Sequence, residues 1–382
     1  MKTVIKNVNI VQPDHIINNG AVVTEDGIIT AYGDAKTLPI PDDAEVIDGE
    51  GNYIGPGLVD IHTHASDKVF FQDDPFACAQ HHLKHGTTSV YPALYFALNA
   101  DQYVAALRQM KSASRDERGK NIAGVYMEGP FLNPNYGGNK ESNPWHKVDP
   151  QEYKPVIEEA KNFAVVYCIA PEREGVKKYV EDVRKLNPNA VFSVAHSECD
   201  PAEVEALMPL GLKIGTHFSD ATGKFHRWPD KEIVGVGPDE AVLMNDELYA
   251  ELIVDNAGIH VDPYLIRLVK KIKGDDHIIL ISDAFCDDGP IPPEYPQNLD
   301  INFDHTGEIA GSRLTLDQAC RNMMKHTGCG ILEVFKYAAL NPARAIGAKD
   351  RGEIAIGKRA DFIIVDDKFN LKKVIFAGVE EK

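Results

Sequence analysis

Two histidines one residue apart, His62 and His64, close the stretch Gly55-Pro56-Gly57-Leu58-Val59-Asp60-Ile61-His62-Thr63-His64. Residues i and i+2 of a strand point to the same side, so an apolar strand ending in this pair aims both imidazoles at one place. Imidazole is the commonest metal ligand, and a pair fixed on a rigid strand end suits a divalent catalytic ion. Glu128 ends the apolar run Ile122-Ala123-Gly124-Val125-Tyr126-Met127, just before Gly129-Pro130, and offers a carboxylate able to bridge two cations. His196 follows Val191-Phe192-Ser193-Val194-Ala195, and His217 follows Leu212-Lys213-Ile214-Gly215-Thr216, so each run delivers one imidazole. Asp283 follows Ile278-Ile279-Leu280-Ile281-Ser282 and is the candidate proton carrier. Beside a bound cation its acidic form is disfavoured, so it accepts a proton from water and later returns it to a leaving group. Metal coordination lowers the pKa of water to about 7, which supplies the nucleophile without a protein side chain. Singly, each residue has a plainer reading: surface histidines, a loop glutamate, a capping aspartate. Their recurrence at the ends of apolar runs favours one site.

Such residues need a scaffold that brings many strand ends to one rim. Residues 1 to about 53 alternate apolar and polar side chains between turn signals such as Asn19-Gly20 and Asp26-Gly27, which reads as short antiparallel strands. From Ile54 onward, short apolar strands alternate with longer helical segments, the signature of parallel βαβ units. About eight such strands are present, the number that closes a barrel. Their ends are expected near His62, Tyr91, Glu128, Ile169, His196, His217, Asp255 and Asp283. The run from Gly352 to Asp366 again reads as strands. The expected architecture is therefore α/β: a TIM-like (β/α)8 barrel over 54–349, with a small discontinuous β-sandwich domain built from 1–53 and 350–382.

Composition narrows the partners. With 382 residues and 43% hydrophobic side chains the chain can bury a large core, and its formal charge of −18 argues against nucleic acid or an anionic membrane surface. The six cysteines show no Cys-x-x-Cys spacing, which fits reduced thiols in the cytoplasm. The amino-terminal segment has no apolar h-region, and no apolar run approaches the roughly 18 residues of a membrane span. A membrane is not expected as a partner.

These residues together resemble the amidohydrolase superfamily and, within it, the deacetylases of N-acetylglucosamine 6-phosphate. The likeness runs from the amino-terminal β unit through Pro56-Gly57-Leu58-Val59-Asp60-Ile61-His62-Thr63-His64 to Asn341-Pro342-Ala343-Arg344-Ala345-Ile346-Gly347 and Gly357-Lys358-Arg359-Ala360-Asp361. Its most specific segment is Met127-Glu128-Gly129-Pro130-Phe131-Leu132-Asn133-Pro134. The resemblance implies two divalent ions, with His62 and His64 on one, His196 and His217 on the other, and Glu128 shared in place of a lysine carbamate. It implies zinc first, with iron or manganese also suited to these donors. It further implies Asp283 as acid and base, acetate and an amino sugar as products, a small-molecule amino-sugar substrate and a homodimer.

The resemblance also assigns substrate contacts. His260 is similar to a family histidine that touches the sugar, and Arg227 to an arginine that reaches the phosphate, often across a dimer interface. Departures cluster here. The family's Thr-His-Leu-Phe-Asn-Ala-Met becomes Thr216-His217-Phe218-Ser219-Asp220-Ala221-Thr222, so Asp220, beside Ala221, stands where an asparagine lies near the phosphate. A second family histidine aligns with Ser142. A carboxylate near a phosphate is repelled, and more so in a partly dehydrated pocket. Deacetylation of another N-acyl amino sugar, phosphorylated or not, is the alternative. A cyclic amidase of the hydantoinase or dihydroorotase kind shares the His-x-His start, but Glu128 in place of a carbamate-forming lysine disfavours it.

Overall fold

The computed structural model describes residues 1–136, 143–228, 232–287, 289–295 and 299–381. From the amino terminus the chain lays down β1 (Lys2–Val11), β2 (Ile16–Glu25), β3 (Ile28–Asp34), β4 (Glu45–Asp48) and β5 (Tyr53–Pro56). Eight strands then follow one another: β6 (Leu58–Thr63), β7 (Thr87–Tyr95), β8 (Val125–Glu128), β9 (Ala164–Ile169), β10 (Val191–Val194), β11 (Leu212–Gly215), β12 (Tyr249–Ile253) and β13 (Ile278–Ile281). Each pairs in parallel with its sequence neighbour, so spatial order equals chain order. The first and last come together through their carboxyl ends: Asp283 N–H donates to the His62 carbonyl at 2.9 Å and His64 N–H to the Ala284 carbonyl at 3.0 Å. The result is a nearly closed parallel barrel.

Parallel strands buried on both faces read as continuous apolar runs, and β8, β10 and β13 are buried at every residue. A helix follows each strand: α1 (Pro75–Lys84), α2 (Ala100–Ala113), α3 (Pro150–Ala160), α4 (Val176–Leu186), α5 (Pro201–Leu207), α6 (Pro238–Met244), α7 (Pro263–Lys273) and α8 (Leu316–Thr327). Asp-Pro pairs start α1, α3, α5 and α7, with the aspartate side chain accepting a backbone N–H in each. The carboxylate satisfies an orphan donor, and proline loses nothing at a position whose N–H has no helical partner. These caps fix where each helix leaves the strand ends.

Strands β1 to β5 join β16 (Phe362–Val365), β17 (Leu371–Phe376) and β18 (Val379–Glu380) in one mixed sheet, in the order β18-β17-β16-β5-β1-β2-β3 with β4 paired to β1. Strand β5 lies in this sheet, which therefore extends past residue 53 to Pro56. A shared core of Ile5, Ile10, Val22, Ile54, Phe362, Ile364 and Ile375 links the two ends of the chain. Gly57 is the passage into the barrel, where a Cβ would lie 2.1 Å from Thr88 Oγ1, so a side chain would force β6 and β7 apart. Strand β7 runs on to Tyr95, past the end expected near Tyr91, because Pro92-Ala93-Leu94 continue the buried run. A two-stranded hairpin, β14 (Ile301–Phe303) and β15 (Ile309–Ser312), stands over the carboxyl ends of the barrel beside Asp283, whose carbonyl accepts from Ser312 N–H at 2.8 Å. Among the described residues no helix is long and apolar enough to cross a membrane.

Candidate metal centre and its cavity

The carboxyl ends of β6, β8, β10, β11 and β13 converge on one buried point. His62 and His64 leave β6 on the same side, and Glu128 is the last residue of β8. The other three follow their strands by two residues: His196 after Val194, His217 after Gly215 and Asp283 after Ile281. Strand alternation alone does not aim these three. Their backbones turn into the left-handed region, with φ of 45° at His196, 27° at His217 and 42° at Asp283. Non-glycine residues rarely accept that conformation, and where they do it commonly marks a functional constraint.

The Glu128 carboxylate sits between two pairs of imidazoles. Its Oε1 lies 3.1 Å from His196 Nε2 and 3.4 Å from His217 Nε2, while Oε2 lies 3.0 Å from His64 Nε2 and 3.8 Å from His62 Nε2. Asp283 Oδ1 closes the His64 side at 3.3 Å from His64 Nε2 and 3.7 Å from His62 Nε2. Two three-donor clusters result: His62, His64 and Asp283 in one, Glu128, His196 and His217 in the other, all buried.

The donor set fits divalent ions. His196 Nδ1 lies 2.7 Å from the Tyr136 carbonyl, and donation there leaves Nε2 a lone pair facing the centre. His196 Nε2 and His217 Nε2 face each other at 3.2 Å, a contact of two nitrogens that a shared cation accounts for. His62 is wholly buried, yet neither of its ring nitrogens has a hydrogen-bond partner. Orphaned buried polar atoms of this kind are costly unless another group satisfies them.

The electrostatics follow from packing opposite charges out of water. Burial alone would raise Glu128, but His64, the hydrogen bonds from His196 and His217, and the nearby His62 ring hold its carboxyl well below the usual range. Burial likewise opposes ionisation of Asp283, and His62 and His64 override it, pushing the carboxyl down to about 2. His217 is pushed up to about 9: burial lowers it, and Glu128 with Asp220 and Asp283 outweigh that. Asp283 is thus ionised near neutral pH, as a proton acceptor must be.

A cavity of about 280 Å³ opens from the centre, near the lower end of ligand pockets, roughly 300 Å³, and of a size for one small molecule. Tyr95, Phe96, Ala221 and Phe285 form its apolar wall, and Asp220, Asp287, Asp304, His305 and Glu308 its polar one. Among the described residues, no lysine or arginine lines it. Asp220 and Ala221 line the cavity. Arg227 does not: its side chain is 72% exposed and pairs with Asp200 at 3.3 Å, outside the lining. The His260 ring is buried and is not among the lining residues, with Nδ1 3.5 Å from Asp255 Oδ2. Ser142 lies outside the described residues.

Two buried residues escape the strand-end reading. Tyr126, two residues before Glu128 on the same face of β8, stacks on His62 with ring centroids 4.4 Å apart. Glu251, in Tyr249-Ala250-Glu251-Leu252-Ile253, lies wholly buried with Oε2 3.5 Å from His62 Nδ1. A lone carboxylate inside an apolar strand is the signal that would have found it, the same one that marks Glu128.

The model of the amidohydrolase family matches residues 53–380. The N-acetylglucosamine-6-phosphate deacetylase of Lysinibacillus sphaericus is 29% identical over 357 residues, 87% of this chain and 86% of that protein. The N-acetylgalactosamine-6-phosphate deacetylase of Escherichia coli O157:H7 is 26% identical over 366 residues, 92% of each chain. The crystal structure of N-acetylglucosamine-6-phosphate deacetylase from Pasteurella multocida superposes with a TM-score of 0.85 at 23% identity, covering 100% of both chains.

Proposed function

The chain belongs to the amidohydrolase family, and we propose that its buried centre hydrolyses the acetamide of N-acetylglucosamine 6-phosphate to glucosamine 6-phosphate and acetate. The observation that carries this reading is the Glu128 carboxylate, with one oxygen toward His196 and His217 and the other toward His62 and His64, and ionised Asp283 beside it. Two divalent ions, zinc first, would be held by His62, His64 and Asp283 on one side and by His196, His217 and Glu128 on the other. An ion bound there polarises a carbonyl and brings the pKa of water to about 7.

The chain's own groups then do the following. Asp283 takes a proton from the attacking water as its oxygen adds to the amide carbon, and hands that proton to the nitrogen as the carbon–nitrogen bond breaks. Tyr95, Phe96 and Phe285 shield the reacting amide from bulk water, which strengthens each charge interaction around it. Cytoplasmic location and a homodimer belong to the same proposal, supported by six cysteines without disulfides and by the family likeness.

A second reading keeps the reaction and changes the sugar. The carboxylates of Asp220, Asp287, Asp304 and Glu308 line the cavity, and a concentration of negative charge there favours an N-acyl amino sugar lacking the phosphate. Acetate release with added zinc, manganese or iron, over N-acetylglucosamine, N-acetylgalactosamine and their 6-phosphates, tests both. Turnover concentrated in the 6-phosphates supports the first, indifference to the phosphate supports the second, and release from none of the four refutes amino-sugar deacetylation.

A further inference from the structure

Glu251 is a buried carboxylate beside His62 that neither cluster uses. It comes from the middle of β12, on the far side of His62 from Glu128, and it is fully shielded from solvent. A carboxylate in such a place costs several kcal/mol unless a partner answers its charge. Its Oε2 faces His62 Nδ1 at 3.5 Å and the Tyr126 hydroxyl at 3.5 Å, and its Oε1 has no hydrogen-bond partner. The His62 ring is just as bare on that side: Nδ1 is buried and unpaired, with Tyr126 stacked flat against the ring. The two unsatisfied groups complement each other, and a small tilt of the ring brings them into hydrogen-bond range.

We propose that Glu251 is a positioning residue for the His62 side of the centre: it accepts the Nδ1 proton of His62, fixing the tautomer whose Nε2 lone pair faces Glu128 and Asp283. The inference rests on the metal-centre reading above. His196 obtains the same service from the Tyr136 carbonyl, at 2.7 Å from its Nδ1, so each half of the centre has its own acceptor behind an imidazole. Tyr126 adds a lateral stop, because its ring packs on one face of His62 while its hydroxyl is tied to Ser193 at 2.8 Å and Thr216 at 2.7 Å. Rotation of the His62 ring is thereby limited from the side and from behind.

The test measures ions per chain and their affinities by chelator competition for wild type, Glu251→Leu, Glu251→Asp and Glu251→Gln, each also in a His62→Ala background. Leucine removes the acceptor, aspartate withdraws it from His62, and glutamine keeps an acceptor oxygen. One ion is expected to weaken about 10- to 100-fold in Glu251→Leu and Glu251→Asp, with the other unchanged and Glu251→Gln close to wild type. In the His62→Ala background Glu251→Leu should have no further effect on ion binding. Should the leucine variant fail to fold, the aspartate variant carries the comparison. Wild-type affinity for both ions in the variants, equal loss of both, or an undiminished effect without His62 would each overturn the assignment. A wild-type chain that retains no ion at all would instead sink the metal-centre reading on which it rests.

Discussion

Replacing Tyr126 by phenylalanine separates what its hydroxyl does from what its ring does. Tyr126 is fully buried, and its oxygen lies 2.8 Å from Ser193 Oγ, 2.7 Å from Thr216 Oγ1 and 3.5 Å from Glu251 Oε2. Ser193 and Thr216 are themselves buried, so removing the phenol oxygen strands two hydroxyls away from water. Leaving a buried polar group unsatisfied costs about 1–3 kcal/mol, and Cys168 Sγ, 3.7 Å from Thr216 Oγ1, offers only a weak substitute. The expected loss is about 2–4 kcal/mol for the pair. The ring stays against His62 at 4.4 Å, so ion content should remain that of wild type and the turnover number should fall less than about tenfold, under 1.4 kcal/mol of barrier. Denaturant unfolding of the ion-free protein, at matched m values, reads the stability term, and acetate release with elemental analysis reads the other two. A destabilisation below about 1 kcal/mol at unchanged m would refute the hydrogen-bond accounting. Loss of an ion would refute the division between hydroxyl and ring.

Three further outcomes are expected. Asp283→Asn removes the proton acceptor in nearly the same volume, so turnover should drop about 10²- to 10⁴-fold, and activity within tenfold of wild type would dismiss Asp283 as acid and base. Replacing both His62 and His64 by alanine should cost one ion and most activity while Glu128, His196 and His217 retain the other; two ions still bound, by elemental analysis, would contradict the split. His82, buried with Nε2 2.9 Å from the Ala65 carbonyl, is held neutral by burial with its pKa down near 3. The unfolded chain takes up a proton below about 6.5 that the folded chain refuses, so stability should fall with decreasing pH from there to about 3, by about 1.4 kcal/mol per unit. His82→Gln should flatten that part of the stability–pH curve, and an unchanged slope would rule His82 out.

What the chain discloses before folding depends on whether a residue's surroundings are local. Glu128 was legible because a carboxylate ending an apolar run has few uses, and His196, His217 and Asp283 because each follows such a run. Their left-handed backbones, which aim them, leave no periodic trace in sequence. The strand end expected near Tyr91 fell short, because β7 continues as a buried run through Pro92 to Leu94. Glu251 offered the same signal as Glu128 but sits mid-strand, where side-chain alternation could not say which carboxylates face the centre. Arg227 came from likeness alone, and in the fold it pairs with Asp200 outside the cavity lining. Asp304, His305 and Glu308 lie in the bend between β14 and β15, and irregular segments carry no spacing from which a wall could be foreseen.

The hydrogen bonds that join β6 to β13 give the centre a temporal order. Asp60 Oδ1 accepts from Ser282 N–H across 222 residues of chain, next to the bonds linking His62 with Asp283 and His64 with Ala284. The cluster of His62, His64 and Asp283 therefore cannot assemble during synthesis until nearly three quarters of the polypeptide has emerged, whereas Glu128, His196 and His217 can meet much earlier. Contacts so far apart in sequence form late, because loop closure must precede the interactions that reward it. Ion uptake by the His62 half would thus act as a chemical timestamp of barrel completion. A nascent chain stalled before residue 283 would hold the ligands of one ion and only part of the set for the other.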